Sequence, residues 1–298
     1  GPRGLQAGST HFNDLWARDA LYASWGARHH DRDAVRRTLS TLQSHMRDGQ
    51  IPLRVGRKNM VNVFLGLPTT TGPVYTNDKS NDAAIDPNLL YIITAATYIS
   101  DNPDARDRFA QSVEDALSWV EQRADNILIE EAPYAAWDDA LKKHGVTAYT
   151  NVLYAAALQT MSEAFDEPTY AERARVVERR LRSALWTGSY YKAWGERDVC
   201  DVAANLLAVL FDIGPAEHHR SILNFLDTKQ RANNDVLYKT NYPSYPWHDT
   251  YLPFHLVGMG DYHNSGPYWT WITALETLAR EQVQTTPGDN PDRLDTII

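Results

Sequence analysis

The chain of 298 residues reads as an all-α protein, a toroid of helical hairpins. Three observations lead there. Long stretches of helical periodicity are separated by short Pro- and Gly-rich breaks. The helical stretches come in two kinds, one with a single apolar stripe and one apolar nearly all round. The two kinds alternate strictly along the chain. A helix with one stripe keeps a face in water, whereas one that is apolar all round must be buried on most sides. An inner ring of buried helices with an outer ring of amphipathic ones satisfies both.

Taken in order, inner helices are expected near 13–29, 86–100, 146–166, 197–213 and 265–283. The second reads LLYIITAATYI, the third VLYAAALQTM, the fourth VAANLLAVLF and the fifth YWTWITALETL. Outer helices are expected near 31–48, 104–125, 168–186, 215–228 and 288–298. In the first of these, Val35, Leu39, Leu42 and Met46 fall at i, i+4, i+7 and i+11, one face of a helix. Phe109, Val113, Ala116 and Val120 repeat that spacing in the second. No run of alternating β-branched residues is long enough for a sheet; residues 61–67 and 127–129 are the two short strand candidates. The whole of 1–298 reads as a single domain of five hairpins. Gly1 at the start and the missing helix-ending signal after Leu294 lead to the expectation of a chain truncated at both ends.

Composition narrows the function. Formal net charge is −9, from 29 basic and 38 acidic residues, which argues against a phosphate backbone or an anionic membrane as partner. No apolar run is long enough to span a bilayer. One cysteine, Cys200, excludes a disulfide framework and a multi-Cys zinc site, and leans toward a cytoplasmic setting. Trp (9) and Tyr (16) far outnumber Phe (7). These are flat apolar plates with a donor at one edge, suited to a sugar.

Unusual polar and aromatic residues gather where each inner helix starts. His11, Asn13, Asp14, Trp16, Arg18 and Asp19 stand at the first; Asn81, Asp82 and Asp86 at the second. Trp137, Asp138, Tyr149, Thr150 and Asn151 surround the third start. Glu196, Arg197, Asp198, Asp201 and Asn205 open the fourth, and Asp261, Tyr262, His263, Asn264, Tyr268 and Trp269 the fifth. Inner helices of a toroid run parallel, so these starts share one face. Helix capping accounts for Asp31, Asp104 and Asn264, and the pairs His29–His30 and His218–His219 read as solvated turns. Asp86 ahead of Pro87 fits a cap and a catalytic acid equally well. Nucleophile-elbow, phosphate-loop and zinc-helix motifs are absent, and no cofactor or metal is called for. Carboxylates among sugar-stacking aromatics point to glycoside hydrolysis, with Asp86 as general acid and Asp82 as the neighbour that tunes it.

At these residues a resemblance appears. STHFNDLWARDALYASWGA, AAIDPNLLYIITAATY, Trp137–Asp138 with VTAYTNVLYAAALQTM, DVCDVAANLLAVLF and DYHNSGPYWTW follow one another as in the (α/α)6 glycosidases. These comprise the amylo-α-1,6-glucosidase domain of glycogen debranching enzymes, glycoside hydrolase family 63 and the neutral/alkaline invertases. The resemblance implies inverting hydrolysis of an α-linked glucoside, with an oligosaccharide as partner. It places the proton donor at Asp86, sugar-binding groups at Trp16, Arg18 and Asp19, a glucose-sized subsite at Trp137 and Asp138, and a late box at His263, Asn264 and Trp269. Tyr149, Asn151 and Asp201 line the same face. The fold it implies has six hairpins where five are read, and its general base would follow Ile298, unless Asp201, Asp249 or Asp261 serves. Three alternatives remain at this point: a sugar epimerase or isomerase using His248, His255 or His263, a sugar-binding or partner-binding protein without turnover, and a helical scaffold in which the clustering is coincidence.

Overall fold

The computed structural model describes residues 4–6, 8, 14–58, 62 and 65–283. Ten α-helices lie among them. The chain divides into two compact units, one from residues 1–139 and 153–175, the other from 140–152 and 176–298.

In the first unit, α1 (Ala17–Ala27) packs against α2 (Arg32–Ser44) and α3 (Asp86–Asp101), and α3 against α4 (Arg106–Glu121). The predicted cap at Asp31 is present: its carboxylate accepts from the Ala34 amide at 2.9 Å, satisfying a donor at the start of α2. The α2 stripe buries Val35, Leu39 and Leu42, and the α4 stripe buries Phe109, Val113, Ala116 and Val120. Helix α3 is different. Leu89, Leu90, Tyr91, Ile92 and Ile93 follow one another and all are buried, so every side of this helix meets protein. Each such Leu or Ile contributes roughly 1.5–3 kcal/mol by leaving water. Parts of α5 (Ala148–Phe165) and α6 (Pro168–Leu185) complete this unit.

Three short strands form an antiparallel sheet: β1 (Leu15–Trp16), β2 (Arg54–Arg57) and β3 (Thr71–Val74). Trp16 lies opposite Arg54, and Arg54 opposite Val74. Gly56 is required in β2, because a Cβ there would come within 2.1 Å of the Asp14 carboxyl carbon. β4 (Ala124–Asp125) and β5 (Leu128–Glu131) make a hairpin, which covers the strand expected at 127–129. The sheets correct the expectation of none: strands of two to five residues are too short to show an alternating pattern. At 61–67, Asn62 is helical and Leu65 and Gly66 form a turn, while 61, 63 and 64 lie outside the described residues. Asp104 does not cap a helix as expected. It sits inside the 3-10 turn Pro103–Ala105, and Asn102 ahead of that turn makes no side-chain cap either.

The second unit holds β6 (Gly145–Val146), the start of α5, the rest of α6, α7 (Val202–Leu210), α8 (Ala216–Asn233), the short α9 (Leu252–Leu256) and α10 (Thr270–Gln282). Its sheet is β7 (Lys192–Trp194), β8 (Arg197–Asp201) and β9 (Asn241–Tyr242), all antiparallel. The fourth inner helix is therefore shorter than expected. Residues 197–201 pair as a strand, and Asp201 caps α7 by accepting from the Ala204 amide at 3.1 Å. From Val202 to Val209 every residue of α7 is buried. The fifth inner helix departs further. α10 buries Ile272, Leu275, Glu276 and Ala279 along one face, and Leu278 is exposed. The outer helix expected at 288–298 lies outside the described residues. His219 is buried, not solvated; one ring nitrogen meets the Ile213 carbonyl at 3.1 Å, while His29 and His30 are not buried, as expected.

Candidate functional site

Arg18, Asp19, Asp86, Tyr149, Asn151 and Asp201 fall at helix starts, whereas Trp137, Asp138, His263 and Asn264 lie in loops ahead of them; each unit is described by itself. In the first, β1 delivers Trp16 to the N-terminus of α1, whose first turn carries Arg18 and Asp19. His11 and Asn13 lie outside the described residues. Trp16 is half-buried, and the guanidinium of Arg54, itself wholly buried, lies 5.2 Å from its ring centroid. Arg54 also donates to the carbonyls of Arg57 and Lys58 and pairs with Asp78 at 3.6 Å. Burial pulls the Arg54 guanidinium below its ordinary pKa, with Asp78 and Asp14 opposing. Nothing in the sequence marks this residue, since Arg54 sits in an ordinary-looking connection.

Asp86 opens α3 and is 1% exposed. Its side chain does not cap the helix. Instead Arg18 grips it as a fork, Nε donating to Oδ2 at 2.5 Å and Nη2 to Oδ1 at 3.1 Å. Asp19, next along α1, is exposed, yet the protein around it raises its carboxyl above the ordinary 3.8. Desolvation is the main cause; Arg18 lowers it, and the Asp86 charge adds a smaller upward push.

Asp82 is half-buried and uses its backbone carbonyl to accept from the Asn77 amide at 2.9 Å. Trp137 and Asp138 are buried on the loop before Asp139, which pairs with Lys79 at 2.8 Å. Asp14 accepts from the Arg57 amide at 3.1 Å, tying the chain ahead of α1 to β2.

In the second unit, Tyr149 and Asn151 lie buried in the first turn of α5. Asn151 donates to the Thr147 carbonyl at 2.9 Å. Asp201 divides its oxygens between the α7 cap and Lys143, whose ammonium lies 2.7 Å away and 5.7 Å from the Tyr149 ring. Lys143 and Asp201 are both buried. A wholly buried lysine had no signal in the charged string LKKHG, which reads as a solvated loop. Cys200, beside Asp201, is buried under the Asn205 amide, and burial pushes its thiol well above the ordinary value.

His263 accepts from the Ala140 amide at 3.2 Å through Nδ1, and its ring closes a triangle with Tyr262 and Trp269, at 4.7 and 5.2 Å, those two being 5.1 Å apart. Asn264 is not a cap. It clamps the backbone of Tyr245, accepting from its N–H at 2.6 Å and donating to its carbonyl at 2.9 Å. Trp269 is half-buried ahead of α10. Asp249 is held by Arg197 in a second fork, Nε to Oδ2 and Nη2 to Oδ1, the latter at 3.0 Å. Asp261 is exposed. Among the described residues no group of three His, Cys, Asp or Glu is arranged to hold a metal ion.

These arrangements supply carboxylates in charge-assisted hydrogen bonds, aromatic faces and amides. They can orient a polyhydroxylated ligand and move a proton on a carboxyl. No family model matches the chain, and no curated protein does. Solved structures do. A GH63 mannosylglycerate hydrolase from Thermus thermophilus aligns over 95% of this chain and 83% of its own, with TM-score 0.66 and 11% identity. A rhamnosidase from Klebsiella oxytoca, solved with rhamnose bound, aligns over 94% of this chain at TM-score 0.55 and 16% identity. A bacterial glucoamylase complexed with acarbose gives 0.58 over 91%, at 14% identity. The fold is that of the (α/α)6-toroid glycosidases. The chain spans half the length of the rhamnosidase and 41% of the glucoamylase.

Proposed function

We propose that this (α/α)6 chain is a glycoside hydrolase acting on an α-linked glucoside or a related oligosaccharide, with inversion, in the manner of debranching amylo-α-1,6-glucosidases. The observation that carries the reading is the buried Arg18–Asp86 fork at the start of α3, with Trp16 and Asp19 on the same short stretch as Arg18. The solved glycosidases with the same fold support it.

In this reading Trp16 offers an apolar face to the sugar, and Asp19 accepts from its hydroxyls. Asp86 delivers the proton to the departing oxygen while a second carboxylate activates water from the other side. Trp137, Asp138, Tyr149, Asn151, His263, Asn264 and Trp269 serve substrate binding or hold the groups that do. Asp201 and Asp249 are poor bases, because both oxygens of each are already engaged.

The same fork favours a second assignment of the donor. Both Asp86 oxygens receive hydrogen bonds from Arg18, so donation requires Arg18 to release one of them. Asp138 is a buried carboxyl next to Trp137. On this assignment Asp138 donates and the fork grips sugar hydroxyls.

Leaving-group dependence decides. A donor is needed for a sugar leaving group and dispensable for fluoride. Asp86→Asn is expected to lose about 10²–10⁴-fold on an α-1,6-linked glucoside while keeping most of its turnover of α-glucosyl fluoride, with circular dichroism unchanged. If Asp138→Asn gives that pattern and Asp86→Asn loses both substrates, the roles are exchanged. Unchanged rates in both variants would remove both from the mechanism.

A further inference from the structure

The Arg197–Asp249 fork lies outside the machinery assigned above, and it holds something. Asp249 ends the 3-10 turn Trp247–Asp249. Arg197 takes its carboxylate, and the Lys142 amide donates to its carbonyl at 2.7 Å. The Thr250 hydroxyl donates back to the Trp247 carbonyl at 2.6 Å, and Thr250 bridges Leu141 across an antiparallel pair. The turn is thus fixed at its carboxylate, its backbone and its neighbour. Yet Trp247, at its head, is 67% exposed. The turn that carries this exposed indole is fixed in place.

Polar side chains frame this indole. The His248 ring stands edge-on to it with centroids 6.0 Å apart, and Arg197 Nη2 lies 3.4 Å from His248 Nε2. Glu196, adjacent to Arg197, approaches His144 at 3.8 Å. All four frame residues keep solvent-facing donors or acceptors, with side chains 31–67% exposed. Arg197 is matched by Asp249, so the groups around the indole offer no excess cation. A flat apolar face with His248 at its edge and Arg197 behind His248 fits an uncharged, hydroxyl-rich ring. It does not fit a phosphate, which needs excess cation.

We propose that Trp247 is a stacking platform for a sugar unit of an oligosaccharide, with His248 and Arg197 as the polar groups beside it. The proposal rests on the glycosidase reading for the ligand's class, and it extends that reading from a short glycoside to a chain of several units. The exposed Leu252, Leu256 and Val257 that follow offer a contrasting aliphatic surface, which makes Leu256 the control.

The experiment compares wild type, Trp247→Ala, Trp247→Phe and Leu256→Ser on α-glucosyl fluoride and on a panel of α- and β-linked gluco- and manno-oligosaccharides from two to six units. Trp247→Ala is expected to raise KM for a six-unit substrate about tenfold and to leave kcat/KM for the fluoride unchanged. Trp247→Phe is expected to restore most of the loss, and Leu256→Ser to behave as wild type. If wild type turns over nothing, calorimetry with the same panel reads the platform directly: Trp247-dependent binding upholds it while the hydrolase reading fails. No Trp247 effect on any oligosaccharide overturns the proposal. So does an equal loss on fluoride and hexaose, or a change in oligomeric state as the effect of Trp247→Ala.

Discussion

The two Arg–Asp forks have one geometry and two settings. In each, Nε meets Oδ2 and Nη2 meets Oδ1 of a carboxylate far along the chain, with separations of 68 and 52 residues. The Asp86 side chain is fully buried and Arg18 is 15% exposed; Asp249 is 9% and Arg197 31%. The first fork sits where an all-round apolar helix begins, beside an aromatic and a second carboxyl. The second fastens a surface turn. The same pair of side chains therefore carries very different weight, according to how much water each has given up.

Truncating each fork tests that difference. Asp86→Ala leaves a largely buried guanidinium without its partner and is expected to cost about 3–5 kcal/mol in urea unfolding. Lys143→Met, which strands Asp201 in the second unit, is expected to cost about 3 kcal/mol for the same reason. Asp249→Ala, closer to water, is expected to cost about 1 kcal/mol; a loss equal to that of Asp86→Ala would erase the distinction. Asp31→Ala removes a helix cap and is expected to cost about 1 kcal/mol.

The smallest effect is one of pH. The folded Asp19 carboxyl titrates above its ordinary 3.8, so the folded state holds that proton longer and loses stability as pH rises through and above that value. Asp19→Asn should match wild type below about pH 3.8 and exceed it at neutral pH. Because Asp19 is exposed, the gain is small. Parallel curves across this range would show that its surroundings do not matter.

Much of the fold was legible because helical periodicity is local. The α2 and α4 stripes, the burial of α3 and the Asp31 cap all follow from residues within a few turns of one another. The forks were not legible. Arg18 and Asp19 read as two sugar-binding groups, and nothing near Asp86 announces a partner 68 residues away. The strands were missed because residues such as Arg54, Gly56 and Thr71 pair through their backbones and carry no alternating pattern. Asn264 sits where a cap would, but its amide matches the two backbone groups of Tyr245 instead. For α10, the apolar string predicted burial on all sides, and the packing uses one face.

Cys200 carries a consequence of a different sort. Its thiol is wholly enclosed at the end of β8, pushed away from the thiolate form, and it is the chain's one cysteine. The thiolate is the form that attacks an alkylating reagent, so labelling of this atom waits for the strand to open. The labelling rate of the native protein is thus a clock for local opening of the β7–β8–β9 sheet. It needs no engineered probe, and it can be read for each variant above, separating those that loosen the second unit from those that leave it closed.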